Sequence, residues 1–235
     1  MVLKLSKSHI VVLIILLVLI LDQAIKIWVK TQMEYGDQHA IFGTHWAFIH
    51  FVENNGMAFG LTFGGKTGKL ALSLFRILAV GFLIYYLHKM IQMKQGIGVL
   101  ICFALILAGA IGNIIDSAFY GLIFSESPYH GGLATAFPEN GGYAGFLQGK
   151  VVDMFYFPMI NTQWPDWIPY LGGSKFQFFK PVFNVADSSI SVGIVMLLLF
   201  QRKFFTTDLS KMENHAIEPT VVDVNPMQSE NKKEI

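Results

Sequence analysis

Residues 9–29 read HIVVLIILLVLILDQAIKIWV, and this run decides the fold. A helix needs about 20 mostly apolar residues to cross the hydrocarbon core of a bilayer, and the run supplies them. Lys4 and Lys7 precede it, as basic residues precede a signal peptide. The run is nevertheless long, ends in Asp22 and Lys26 and lacks a small-residue cleavage site, so it reads as a retained span. Asp22 and Lys26 stand four apart, which places them on one helix face where they can pair.

Outward from this run, three more stretches qualify as spans, at about 70–87, 97–115 and 182–200. The chain is 53% hydrophobic and only 14% charged, with a mean hydropathy of +0.50, whereas soluble domains carry about 25% charge. The expected fold class is an integral membrane protein, mainly α, with four transmembrane helices. A net charge of +1 gives no clustered basic face, which argues against a nucleic-acid partner. Cys102 is the only cysteine, so no intrachain disulfide or thiolate metal site is expected. His39, His45, His50 and His130 show no metal-ligand spacing. No metal or other cofactor is expected.

Orientation follows from basic residues, which collect on the cytoplasmic side. Lys4 and Lys7 precede the first span, His88, Lys89 and Lys94 lie between the second and third, and Arg202 and Lys203 follow the fourth. All fall on one side, which predicts both termini in the cytoplasm and two outside segments, about 30–69 and 116–181. Residues 1–205 form one expected membrane-embedded domain, followed by a polar, disordered cytoplasmic tail over 206–235. The aromatic and β-branched run Trp46–Val52, followed by Glu53-Asn54-Asn55-Gly56, predicts short strands around a turn and a small extracytoplasmic β-sheet. The Gly-, Ser- and Pro-rich stretch 125–149 reads as a lid-like loop insertion.

The polar residues near the membrane are the functional signal, because a carboxylate at the bilayer centre costs about 2.5 to 3.5 kcal/mol on insertion scales. Asp22 lies roughly 20 Å along its span at about 1.5 Å per residue, in the outer third of the bilayer. Asn113 and Asp116 close the third span and Asn184 and Asp187 open the fourth, each pair three apart on one face. Separate stretches thus converge on one layer. Each piece also has a plainer reading. Asp22 with Lys26 reads as a structural ion pair, Asn54-Asn55-Gly56 as a turn, Asn184 as an N-cap and Asp116 as the terminator of its span.

Five blocks in order, Asp22-Gln23 with Lys26, Asn54-Asn55-Gly56-Met57-Ala58-Phe59, Gly112-Asn113-Ile114-Ile115-Asp116, Val151-Val152-Asp153 and Phe183-Asn184-Val185-Ala186-Asp187, resemble the signature of the lipoprotein signal peptidases, the type II signal peptidases of bacteria. The resemblance implies a four-span aspartyl endopeptidase of the bacterial cytoplasmic (inner) membrane. It would cleave the signal peptide of diacylglyceryl-modified prolipoproteins just before the lipidated cysteine. It implies Asp153 and Asp187 as catalytic carboxylates, with Asp22, Lys26, Asn54, Gly56, Asn113, Asp116 and Asn184 as substrate-binding or supporting positions. Membrane lipid and peptide antibiotics of the globomycin type are the further partners it implies.

The chain departs from the family pattern in two places. Ser117 stands where the family usually has Arg, which leaves an ion pair to Asp116 absent or supplied from elsewhere, with Lys150 as a candidate. Asp153 lies 37 residues beyond Asp116 rather than about nine, an insertion of about 28 residues within 120–150. Loops of this length in compact folds are often functional. Two carboxylates suit peptide hydrolysis in their own right, one ionised to take a proton from water and one protonated to hydrogen-bond the scissile carbonyl. A proton-coupled transporter is the competing class, and a structural subunit a third. The crowding of the acids in the outer third, and the absence of an inverted repeat, speak against a transporter.

Overall fold

A computed structural model describes residues 5–55, 65–178 and 181–216. Helix α1 spans Lys7–Gln32 and its N-cap Ser6 accepts the His9 N–H, which satisfies one of the free donors of the first turn. Strands β1 (Gln38–Ala40) and β2 (Phe48–Asn54) follow, then α2 (Gly65–Gln92) and α3 (Ile97–Ile115). Next come β3 (Val151–Tyr156), β4 (Ile160–Gln163), β5 (Lys175–Phe178), β6 (Val182–Phe183) and α4 (Val185–Ala216). The protein is therefore mainly helical, with a four-stranded antiparallel sheet in the order β1-β2-β3-β6 and a separate β4-β5 hairpin.

Among the described residues three helices, Lys7–Gln32, Thr67–Gln92 and Ile97–Ile123, have the length and composition to cross a membrane, and Val185–Phe200 is a shorter apolar helical stretch. Their outer faces carry exposed apolar side chains such as Leu17, Ile20, Phe75, Leu78, Leu198 and Leu199. Such surface is stable only where it faces lipid or another apolar surface. The third helix runs further than expected. It passes from Ile115 through a π-helical turn, Asp116–Tyr120, into a last turn, Gly121–Ile123. A π-turn widens the helix by one residue and commonly marks a functional position. At the other end, Val182 and Phe183 pair with Tyr156 and Phe155 of β3, so the expected start of the fourth span is strand, and the helix begins only after Asn184. Beyond 205, α4 continues to Ala216, and residues 217–235 lie outside those described.

Helix α3 is the hub, packed on α1, α2 and, most extensively, α4. Small residues allow the close approach. A Cβ on Gly109 would lie 2.2 Å from the Ala186 carbonyl oxygen and 2.7 Å from the Ile190 side chain. Gly109→Val is accordingly expected to push α3 from α4 and to destabilise the protein by about 1–3 kcal/mol. A thermal melt in detergent reads this as a lowered Tm, and a wild-type Tm would show that the contact tolerates the volume. A second apolar core, formed by Val29, Met33, Phe51, Tyr120, Phe124, Val152 and Met154, fastens the sheet to the ends of α1 and α3. It fixes where β3 crosses the helices.

Residues 125–149, expected as a loop, are folded down on the end of α3. The Gly149 N–H donates to the Ser117 carbonyl at 2.8 Å. A Cβ at Gly149 would meet the Asp116 carbonyl oxygen at 2.2 Å, so only glycine permits this crossing. The expected strands around the Asn55-Gly56 turn resolve differently. β2 pairs with β1 before it and with the distant β3, and residues 56–64 lie outside those described.

Candidate active site

Five elements meet at one buried polar layer. Helix α1 brings Asp22, Gln23 and Lys26, α3 brings Asn113 and Asp116, and α4 opens with Asn184 and Asp187. Strand β2 ends at Asn54 and β3 carries Asp153. Gly56 lies outside the described residues.

Lys26 is the centre of charge. Its ammonium has three donors, and all three are used: Asp22 Oδ2 at 2.9 Å, Asp116 Oδ2 at 2.8 Å and Asn113 Oδ1 at 3.0 Å. All three charged side chains are fully buried. The expected Asp22–Lys26 pair is thus present, but as half of a triad. Asp22 also does a second job, since its Oδ1 accepts the Ala186 N–H at 2.9 Å and so caps a free donor in the first turn of α4.

Asn184 caps the same helix. Its Oδ1 accepts the Asp187 N–H at 2.9 Å, and its own N–H donates to Asp187 Oδ2 at 3.4 Å, the reciprocal geometry of a capping box. A carboxylate in the first turn also suits the positive end of the helix dipole. Asn184 Nδ2 then reaches Asp153 Oδ1 at 2.7 Å. One residue thereby holds both Asp153 and Asp187, since the N-cap of α4 is also the amide that reaches β3.

The amides have unambiguous orientations, because each faces a cation or N–H on one side and a carboxylate on the other. Asn113 turns Oδ1 to Lys26 and Nδ2 to Asp187 Oδ1, at 2.8 Å. Asn184 Nδ2 also lies 3.1 Å from Asn113 Oδ1, so a continuous polar path links Lys26 to both carboxylates. Asn54 donates from its amide to Asp153 Oδ2. The two acids differ in setting. Asp153 is 2% exposed, whereas Asp187 is only partly buried. Burial, and after it the charge of Asp187, push the Asp153 carboxyl up to about 8, against the opposing pull of Asn184 and Lys26.

Asp116 corrects one expectation. Its carboxylate is held by Lys26 and by Gln23 Nε2 at 2.9 Å, and it accepts the Val152 N–H of β3 at 3.3 Å. Lys150, the candidate stand-in for the arginine absent at 117, pairs with Glu53 at 3.7 Å and Glu126 at 3.2 Å instead. The charge of Arg76, on α2, acts on Asp187, Asp116 and Asp153, a cation the sequence reading passed over. Gln23, in sequence only the neighbour of Asp22, takes a larger part. It bridges Asp22, Asp116 and the Gly112 carbonyl and accepts the Tyr120 hydroxyl at 3.1 Å.

The arrangement can perform acid–base chemistry on a peptide. It has one sealed carboxyl that retains a proton near neutrality and one more open carboxylate, both fixed by amide donors. A model of the signal peptidase (SPase) II family matches residues 14–203. The lipoprotein signal peptidase of Porphyromonas gingivalis strain W83 is 52% identical over 197 residues, covering 83% of this chain and 84% of that one. That of Amoebophilus asiaticus strain 5a2 is 34% identical over 203 residues, covering 85% and 80%. A solved bacterial membrane enzyme, determined by the in meso method, has the same fold with a TM-score of 0.52 at 25% identity, over 80% of this chain and 90% of its own. With residues from each of the five sequence blocks gathered in one polar layer and the family match running through all of the blocks, the chain belongs to the signal peptidase II family and is a membrane peptidase.

Proposed function

We propose that the chain removes signal peptides from diacylglyceryl-modified prolipoproteins by cutting just before the lipidated cysteine, with Asp153 and Asp187 as the catalytic dyad. The observation that carries this reading is the shared hold of Asn184 on both carboxylates. It keeps two like charges close enough for one to raise the proton affinity of the other. Asp187, the more open acid, takes a proton from water as the water oxygen attacks the scissile carbonyl. Asp153 donates its proton to the carbonyl oxygen. As the intermediate collapses, the leaving amine takes the proton that Asp187 holds and Asp153 recovers its own. Asp22, Lys26, Asn113, Asp116 and Asn184 keep the two acids in register, and Asn54 offers its amide to the substrate backbone, with Gly56 a further candidate for that role by its place in the motif. Unpaired peptide groups are costly at membrane depth, so an unwound signal peptide needs such partners.

Depth supports the substrate class. A bond beside a lipid-bearing cysteine sits at the edge of the bilayer with its acyl chains still in hydrocarbon, which matches a polar layer at the ends of α1, α3 and α4. In this reading the sheet and the insertion face outward, both termini are cytoplasmic, the membrane is the inner membrane, and residues 1–205 act as one domain with a polar tail. Peptide antibiotics of the globomycin type would compete for the same groups.

The test is cleavage of one prolipoprotein with and without its diacylglyceryl group, followed by mass spectrometry of the product. The modified substrate should be cut immediately before the cysteine, and the unmodified one at a small fraction of that rate. A cut elsewhere, or equal rates, would overturn the proposal. A pH prediction follows from Asp153. Its acid form is the working form, so kcat/KM should fall as pH rises through about 8. A profile flat to pH 10 would contradict it. The stability linkage has the same sign. The folded value lies above the unfolded value of about 3.9, so the contribution is complete below about pH 4 and disappears as pH rises through the folded value.

A further inference from the structure

A second set of buried charges lies on the other face of the sheet end, unused by the chemistry above. Lys30, one turn beyond Lys26 on α1, is fully buried and ion-paired to Glu53, whose side chain is 2% exposed. The Lys30 ammonium also donates to Ser127 Oγ at 3.0 Å, and Ser127 donates to Glu53 at 3.1 Å. Lys150 approaches the second Glu53 oxygen at 3.7 Å. The ring of Tyr143 lies under both ammonium groups, 5.1 Å from Lys30 and 5.5 Å from Lys150, and its hydroxyl accepts the Lys150 N–H at 2.6 Å. Ser127, Tyr143 and Lys150 all come from the 120–150 insertion.

The location gives this cluster a consequence. Successive side chains of a strand point to opposite faces, so Glu53 turns to α1 and the insertion while Asn54 turns to Asp153. Lys150 directly precedes β3, where Val151 pairs with Asn54 and Val152 with Glu53. The clamp therefore grips the ends of both strands that present the Asn54–Asp153 hydrogen bond. β2 carries a register shift between Ile49 and Val52, so the ladder alone holds its end less firmly. We infer that the Lys30–Glu53 pair, closed by Ser127 and Lys150, positions Asn54 against Asp153, which makes the insertion part of the peptidase machinery. This rests on the assignment of Asn54 and Asp153 to the reaction.

The experiment uses the full chain in detergent with a diacylglyceryl-modified prolipoprotein. Lys30→Met removes the cation, and Glu53→Gln keeps volume and hydrogen bonding if the first variant does not fold. Either should lower kcat by about 10- to 100-fold, the scale of a sub-ångström to ångström misplacement, with KM little changed. The groups facing Asp153 are Asn54 on β2, Asn184 and Asp187 at the start of α4, Asp116 at the end of α3, Lys26 on α1 and, by its charge, Arg76 on α2. Slackening Asn54 withdraws a donor from the carboxylate, so the alkaline limb of the rate profile should move to higher pH. In an Asn54→Ala background, the same substitutions should change kcat little, because the group they act through is gone. Folded variants with wild-type kcat and profile, or a full additional loss in the Asn54→Ala background, would overturn the inference. Undiminished cleavage by Asn54→Ala alone would instead remove Asn54 from the site, which separates failure of the underlying reading from failure of the clamp.

Discussion

Asp153→Asn and Asp187→Asn are each expected to abolish measurable cleavage while leaving the fold intact. Positioned acid–base groups contribute about 10²–10⁴-fold each, so residual activity of a percent or less is the expected result. Asparagine is nearly isosteric with aspartate, and the surroundings show why the fold should survive. Asp153 sits sealed with its carboxyl pushed up to about 8, so at neutral pH it is already uncharged, and a neutral amide replaces it without removing an ion pair. At 187 the amide oxygen can still accept from the Asn184 N–H, the contact that closes the cap. Tm measured in detergent should therefore stay near the wild-type value, and for Asp153→Asn it may be checked at pH 9, where loss of a buried charge should raise it. Folded variants that cleave like the wild type would sink the dyad and move the search for the catalytic groups to the other polar residues of the layer.

Much of this site was legible in the sequence because it is written in residue types that hydrocarbon excludes. Asp22, Lys26, Asn113, Asp116, Asn184 and Asp187 stand out against apolar neighbours, and their spacing of three or four assigns them to faces. Asp153 was different. Val151-Val152-Asp153 has no periodic context that fixes its depth, and only the motif order singled it out. Its placement depends on β2–β3 pairing between residues about a hundred positions apart, which no local pattern encodes. Lys30 and Glu53 were missed for a related reason. Lys30 follows the last apolar residue of its span, where a lysine reads as an interfacial anchor, and Glu53 sits in what reads as a turn. Their burial comes from the insertion folding over them, a tertiary event. The stripe Asp22, Gln23, Lys26 and Lys30 does lie within about one helical face, and that periodicity was the available signal.

Lys26→Met is expected to give the largest loss of stability of any single substitution in the layer. It leaves Asp22 and Asp116, both fully buried, without their cation. Removing one partner of a buried pair costs about 3–5 kcal/mol because the remaining charge is uncompensated, and here two carboxylates are left. Activity should fall with it for a separate reason. Asn113 Oδ1 loses its cationic donor and keeps only Asn184 Nδ2, so Nδ2 is held less firmly toward Asp187. The two effects can be pulled apart. Adding Asp116→Asn to Lys26→Met removes one stranded charge while keeping an amide oxygen that can accept from either Gln23 or the Val152 N–H. Part of the Tm should return in the double variant, but cleavage should not, because Asn113 still lacks its cationic donor. If the double variant regained activity along with Tm, Lys26 would act only through charge balance and the path from Lys26 through Asn113 to Asp187 would carry no catalytic weight. If Lys26→Met alone melted like the wild type, the triad would not hold α1, α3 and α4 together as its geometry requires.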